Sequence, residues 1–175
     1  MIGDDCDYHS HLSMGFGQAS LTPYVEEAQT MMKIVAAAVI ERGDRRILIG
    51  QRRSSDTSPL KWEFPGGKIE PGEQPEQGLA RELREELGAT LESCVEICRV
   101  RQKYPNRSDE LEIRFFAAAI ADHNVQPASF EKIAWVLPKE LGDYDFLDAN
   151  QLLIAQIATG KIKPAEILLK AKSLE

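Results

Sequence analysis

Three glutamates, Glu82, Glu85 and Glu86, are spaced three and four positions apart, with Gly66-Gly67 and Glu73 just upstream. On a helix, residues at that spacing share a face, so Glu82 looks toward both Glu85 and Glu86. Like charges so placed repel, at a cost of a few tenths of a kcal/mol, roughly, per pair. A helix that needed only solubility could scatter them. A divalent cation turns the repulsion into coordination, because hard cations such as Mg²⁺ take oxygen ligands. These residue types point to metal-assisted chemistry on a phosphate substrate. The plainer alternative is a solvated acidic helix face.

The element that must carry the glutamates is a helix over Pro75–Leu87. Pro75 suits a first turn, Glu76 favours the N-terminal dipole and Gly88 supplies the stop. Leu79, Leu83 and Leu87 recur every four residues as a buried stripe, which sets the glutamate stripe at the rim of a core. Upstream, Lys33–Ile40 is an apolar run of strand length, and residues 47–49 return as a second strand after turn chemistry at residues 41–44. Residues 62–64 are extended, because Pro65 disfavours helix before it, and Gly66-Gly67 reads as a tight turn. Downstream, strand signals occupy residues 91–104, 111–120 and 133–137, with a helical turn at 138–141. A second amphipathic helix is expected over residues 150–158 and a frayed one over 163–174. Strands in runs with helices between and after them predict an α+β domain, a mixed sheet covered by helices.

The chain has 175 residues, enough for one domain with a real core. No apolar run approaches the roughly eighteen residues of a membrane span, and no basic segment leads into an apolar one as in a secretory signal. A cytoplasmic protein is the expectation. Three cysteines, Cys6, Cys94 and Cys98, read as reduced thiols, with Cys94 and Cys98 expected on one strand face as small apolar fillers. The net charge of −7 is uneven: residues 1–30 hold five acids and no Lys or Arg, leaving −2 for the remainder. A nearly neutral body argues against a nucleic-acid polymer as partner, which wants a basic face. Residues 1–31 lack periodicity and read as a disordered extension, dispensable or even an upstream misreading of the start codon, since Met31-Met32 directly precedes the first strand. Their Asp4, Asp5, Cys6, Asp7, His9 and His11 resemble a metal-binding tract but read as ordinary polar tail. The domain is expected over residues 32–160, with 161–175 a tail or short helix.

Written out, Gly67-(five)-Glu73-(seven)-Arg81-Glu82-Leu83-Arg84-Glu85-Glu86-Leu87-Gly88-Ala89 resembles the Nudix box, G-x5-E-x7-R-E-U-x-E-E-x-G-U, with U a bulky aliphatic. Every fixed polar and glycine position matches, and only Ala89 is smaller than usual. The resemblance implies a Nudix fold, a mixed sheet sandwiched between helices with a loop–helix–loop catalytic box. It implies that Glu82, Glu85 and Glu86, with the Gly66 carbonyl, bind Mg²⁺ or Mn²⁺ and that one glutamate takes a proton from water, which one being open. Glu73 and Arg81 are implied to brace the box by an ion pair.

The resemblance extends over roughly residues 33–158. Trp62-Glu63-Phe64-Pro65-Gly66-Gly67-Lys68-Ile69-Glu70 looks like the lead-in of the MutT branch, which cleans oxidised guanine nucleotides. On that match Glu63, Phe64, Pro65 and Gly66 border the substrate, Arg53 contacts the nucleotide, and Asn150 hydrogen-bonds the purine. The plain alternative for Asn150 is a helix N-cap. Tyr104-Pro105-Asn106-Arg107 resembles that branch's aromatic-P-D-R segment, followed here by extra residues Ser108-Asp109-Glu110. The branch's additional carboxylate falls at Ser129, six residues before Trp135; Glu131, four before it, is the nearest substitute. The implied activity is hydrolysis of 8-oxo-dGTP to 8-oxo-dGMP and pyrophosphate by a monomer or dimer. CTP or modified pyrimidine triphosphates and ADP-ribose are alternative substrates, and a nucleotide-binding module without turnover is the alternative of another class.

Overall fold

The computed structural model describes residues 32–103 and 110–174. The acidic extension before Met32 and the segment Tyr104–Asp109 therefore lie outside the described residues, and with them Cys6, the His/Asp tract and the aromatic-P-N-R match.

Two sheets form the centre. The first has the order β4-β1-β6-β5, from β1 (Lys33–Ile40), β4 (Gly66–Lys68), β5 (Leu91–Lys103) and β6 (Glu110–Ile120). β1 runs parallel to β6, and the other pairs of this sheet are antiparallel, so the sheet is mixed. The second, β3-β2-β7, joins β2 (Ile47–Gln51), β3 (Trp62–Glu63) and β7 (Lys132–Val136). Helix α1 (Pro75–Leu87) covers one face through Leu79, Leu83 and Leu87, which bury with Ala36, Ala38, Leu48 and Phe116. Helix α2 (Gln151–Ala158) covers the other through Leu153, Ile154 and Ile157, which bury with Val39, Ile49, Phe115 and Val136. β1 feeds both cores because alternate residues of a strand face opposite sides. The expected α+β sandwich is the observed one. Among the described residues no helix is long and apolar enough to cross a membrane.

The third helix, α3 (Pro164–Lys172), is tied down at its start. Glu41, whose side chain is buried, accepts the Ala165 amide at 3.1 Å across 124 residues of sequence.

Two local expectations are corrected. Gly66-Gly67 is not a turn: it forms β4, antiparallel to β1 with Gly67 opposite Ala36 and Gly66 opposite Ala37. Pairing satisfies the backbone groups along β1's second edge, a demand that outweighs the turn preference of glycine. Cys94 and Cys98 do not share a face, for Cys94 packs with the α1 core and Cys98 with the α2 core. A bulge between Glu96 and Cys98 adds a residue to β5 and inverts the alternation that follows.

Candidate active site

α1 is built to hold its glutamates against β4. Gln74 opens it, its amide donating to Gln77 Oε1 at 3.1 Å. Gly88 closes it in the left-handed conformation (φ 66°), donating back to the Arg84 carbonyl at 3.0 Å. The last free carbonyls meet the loop before β7: Glu86 accepts the Ala128 amide at 2.9 Å and Leu87 the Gln126 amide at 3.2 Å.

The Glu86 carboxylate turns inward and accepts the Gly66 amide at 2.9 Å. Burial pushes it up to about 8, and the neighbouring charges of Glu63 and Glu82 add to this against the pull of the Gly66 hydrogen bond. Glu82 lies directly over Gly67: a Cβ built there would stand 2.5 Å from both of its carboxylate oxygens. Glu85 is the outermost of the three, its side chain 59% exposed.

Arg81 organises this group. It donates to both oxygens of Glu73 (3.1 and 3.0 Å), to the Lys68 carbonyl (2.9 Å) and to Glu82 Oε1 (2.9 Å), and stands 3.7 Å from Glu85. The expected Glu73–Arg81 brace is thus formed, and it reaches two of the glutamates it serves. The Arg81 guanidinium holds the Glu73 carboxyl below the usual carboxylate range. Arg81→Met is expected to lower kcat roughly 10- to 100-fold, as loss of a group that orients metal ligands does. Steady-state kinetics at saturating Mg²⁺ checks this; unchanged turnover would reduce Arg81 to a surface ion pair.

Among the described residues no three His, Cys, Asp or Glu side chains stand ready as a closed metal cluster. Arg81 pairs with Glu82 at 2.9 Å and stands 3.7 Å from Glu85. The donor set nonetheless fits a hard cation. Glu82 and Glu86 both meet the Gly66-Gly67 strand, and Glu86 is a buried carboxylate beside two like charges, a state that a proton or a cation relieves.

Next to Glu86 opens a cavity of about 400 Å³, running from Gly66, Gly67 and Glu86 to Asn150. Phe64 lines it, wedged edge-on against Phe115 with ring centroids 6.2 Å apart. Glu63 lines it too, raised by burial and partly restrained by Arg52, whose guanidinium contacts both its oxygens at 3.0 Å. Asn150 is 4% exposed at the start of α2 and makes no side-chain cap; its amide has one long bond, 3.4 Å, to the Leu147 carbonyl. The N-cap alternative is therefore not what occupies this side chain.

Three expected residues stand elsewhere. Pro65 is spent on the sheet, its carbonyl accepting the Ala38 amide at 2.7 Å. Arg53 is exposed, outside the cavity lining, and donates to the Ala128 carbonyl at 2.7 Å. Its neighbour Arg52, which sequence reasoning passed over, lines the cavity instead, as do Lys61 and Lys68. Glu131 is exposed, its amide bonded to the Gln51 carbonyl at 2.8 Å, and it does not line the cavity.

Comparison with known proteins agrees with this geometry. The family model of the NUDIX domain matches residues 31–167. The chain is 34% identical over 135 residues to the CTP pyrophosphohydrolase of Escherichia coli K12, covering 75% of this chain and 96% of that one. It is 30% identical over 123 residues to the 8-oxo-dGTP diphosphatase of the same organism, covering 70% and 94%. A solved MutT structure, from work on Aliivibrio salmonicida and Vibrio cholerae, superposes with a TM-score of 0.63 at 27% identity, covering 74% of this chain and 99% of that one. The solution structure of the Escherichia coli ORF135 protein superposes with a TM-score of 0.58 at 32% identity, covering 71% and 86%. With the box intact on α1 and a cavity beside it, this chain belongs to the Nudix family of hydrolases.

Proposed function

We propose that the chain hydrolyses a nucleoside triphosphate to a nucleoside monophosphate and pyrophosphate, with 8-oxo-dGTP as the leading substrate. One observation carries this reading. A single cavity joins the box, at Gly66 and Glu86, to a buried and nearly unpartnered carboxamide, Asn150. A nucleotide spans the same two chemistries, phosphates at one end and a hydrogen-bonding base at the other.

Glu82, Glu85 and Glu86 would hold Mg²⁺, or Mn²⁺, with Gly66 at their side. When bound, the cation neutralises phosphate charge and acidifies water. Arg52, Lys61 and Lys68 line the cavity and offset further negative charge. Water adds to one phosphorus of the α–β anhydride, the bond from that phosphorus to the bridging oxygen breaks, and the bridging oxygen leaves with the other fragment, giving the nucleoside monophosphate and pyrophosphate. A box glutamate takes the proton from that water, and burial raises Glu86 to about 8, within reach of neutral pH. Phe64 gives the base an apolar floor, and the Asn150 amide can donate and accept together.

A second reading, a pyrimidine triphosphate as substrate, is favoured by the CTP pyrophosphohydrolase among the relatives. A panel of 8-oxo-dGTP, dGTP, CTP and ADP-ribose, scored by kcat/KM, tests both. Top rank for 8-oxo-dGTP supports the first, top rank for CTP the second, and no turnover rejects both. Asn150→Ala is expected to narrow the spread of kcat/KM across the panel about tenfold while kcat on the poorest substrate is kept. Unaltered selectivity would remove Asn150 from base reading.

A further inference from the structure

Gln102 lies on β5 opposite Leu111 of β6. The sheet side of the cavity is otherwise apolar, formed by Val35, Ala37, Leu111, Ile113 and Phe115. Gln102 is the polar side chain that β5 contributes there, away from Lys68 on the β4 edge. Its Oε1 is buried and has no hydrogen-bond partner. Among the described residues Ser93 Oγ shares that condition and Glu41 Oε1 has only its ion pair with Arg45 at 2.9 Å, but neither of those residues lines the cavity. A buried acceptor without a donor costs stability, whereas a leucine of similar size would not. Among the described residues nothing uses this oxygen, and no box residue bonds to it.

We propose that Gln102 reads the nucleobase: its carboxamide, which lacks a partner at Oε1, turns on binding so that Oε1 accepts a hydrogen bond from an amine or ring N–H of the base. The inference rests on the nucleotide reading of the cavity. Gln102 acts from the β5–β6 wall, whereas Asn150 stands at the start of α2. Two carboxamides from different elements then address the base edge, and the cavity favours bases that present an amine to Gln102. The oxygen left orphaned in the free protein is satisfied on binding, so specificity is held at the expense of stability.

The test measures kcat/KM for wild type, Gln102→Leu and Gln102→Glu on two substrate pairs that differ by one amine, GTP against ITP and CTP against UTP. In at least one pair, Gln102→Leu should lose about tenfold on the amine-bearing member through KM, with kcat within about twofold and the other member unchanged. Gln102→Glu keeps an acceptor and should retain more of the preference than Gln102→Leu. The thermal midpoint of ligand-free Gln102→Leu should equal or exceed that of wild type; a marked fall would show that Oε1 has a partner in the fold and overturn the inference. Equal losses on both members of each pair, or no loss, would overturn it as well, while wild-type turnover leaves the nucleotide reading standing. If wild type turns over no nucleoside triphosphate, both readings fall.

Discussion

Replacing Glu86 by Gln should lower kcat about a hundred- to a thousandfold, the scale seen when one preorganised electrostatic group is removed from an active site. The same change should make the metal-free protein more stable at pH 8. Both effects come from one fact. Glu86 is a carboxylate driven into a low-dielectric site beside Glu63 and Glu82, with the Gly66 amide as its hydrogen-bond donor at 2.9 Å. Its pKa is about 8 in the folded chain against an ordinary 4.5, so between those values the folded state keeps a proton that the unfolded state has lost. Stability must therefore fall as pH rises through that window, and the full cost, on the order of a few kcal/mol, is present above it. Glu63 is raised as well, first by burial, and leaves a smaller slope of the same sign when Glu86 is gone. Glutamine never ionises and still offers an oxygen to Gly66. Thermal midpoints from pH 5 to pH 8.5 should then decline for wild type and stay flatter for Glu86→Gln. On the proposed metal site, Mg²⁺ should raise the wild-type midpoint more at pH 8 than at pH 5, where protons compete with it. Parallel pH curves for the two proteins, with turnover intact, would take Glu86 out of the site.

The parts of this site that the sequence makes legible are those with a period or a fixed spacing. Leu79, Leu83 and Leu87 repeat at helical spacing between a proline and a glycine, and the helix runs over Pro75–Leu87 as read. The Glu73–Arg81 brace follows from the family spacing and is formed. What is not legible depends on contacts made far along the chain. Gly66-Gly67 has no side chains to alternate, so nothing local distinguishes a turn from an edge strand that β1 recruits. One bulged residue in β5 separates Cys94 from Cys98, and no residue type announces it. Arg52 and Arg53 follow a strand on which neighbours face opposite sides, so choosing between them needs the register of β2, which only β3 and β7 set. Gln102 is a lone amide in a strand until the tertiary fold turns it to the cavity.

The two adjacent glycines, so alike in sequence, should differ in what the same substitution does to stability. At Gly66 the backbone has φ 142°, and a Cβ there would overlap the Ala36 carbonyl oxygen and come within 2.9 Å of the Ala37 Cα. Those atoms are β1 backbone, held between β4 and β6, and cannot give way. Gly66→Ala should therefore cost roughly 2 to 5 kcal/mol from strain and overpacking together, and turnover should fall with the fold. At Gly67 the obstruction is instead the carboxylate of Glu82, the free end of a flexible side chain, and the backbone needs no left-handed conformation. Gly67→Ala should be accommodated by Glu82 swinging off β4, with stability changed by about 1 kcal/mol or less. The displaced group is one the box places over that strand, so kcat should fall about a hundredfold, and the thermal shift produced by Mg²⁺ should shrink with it. Measured side by side, Gly66→Ala should lower both the midpoint and kcat, and Gly67→Ala kcat alone. A Gly67→Ala protein with wild-type kcat and a full Mg²⁺ shift would mean that the position of Glu82 over β4 is incidental, and the metal-binding reading of the box would have to rest on Glu85 and Glu86 without it.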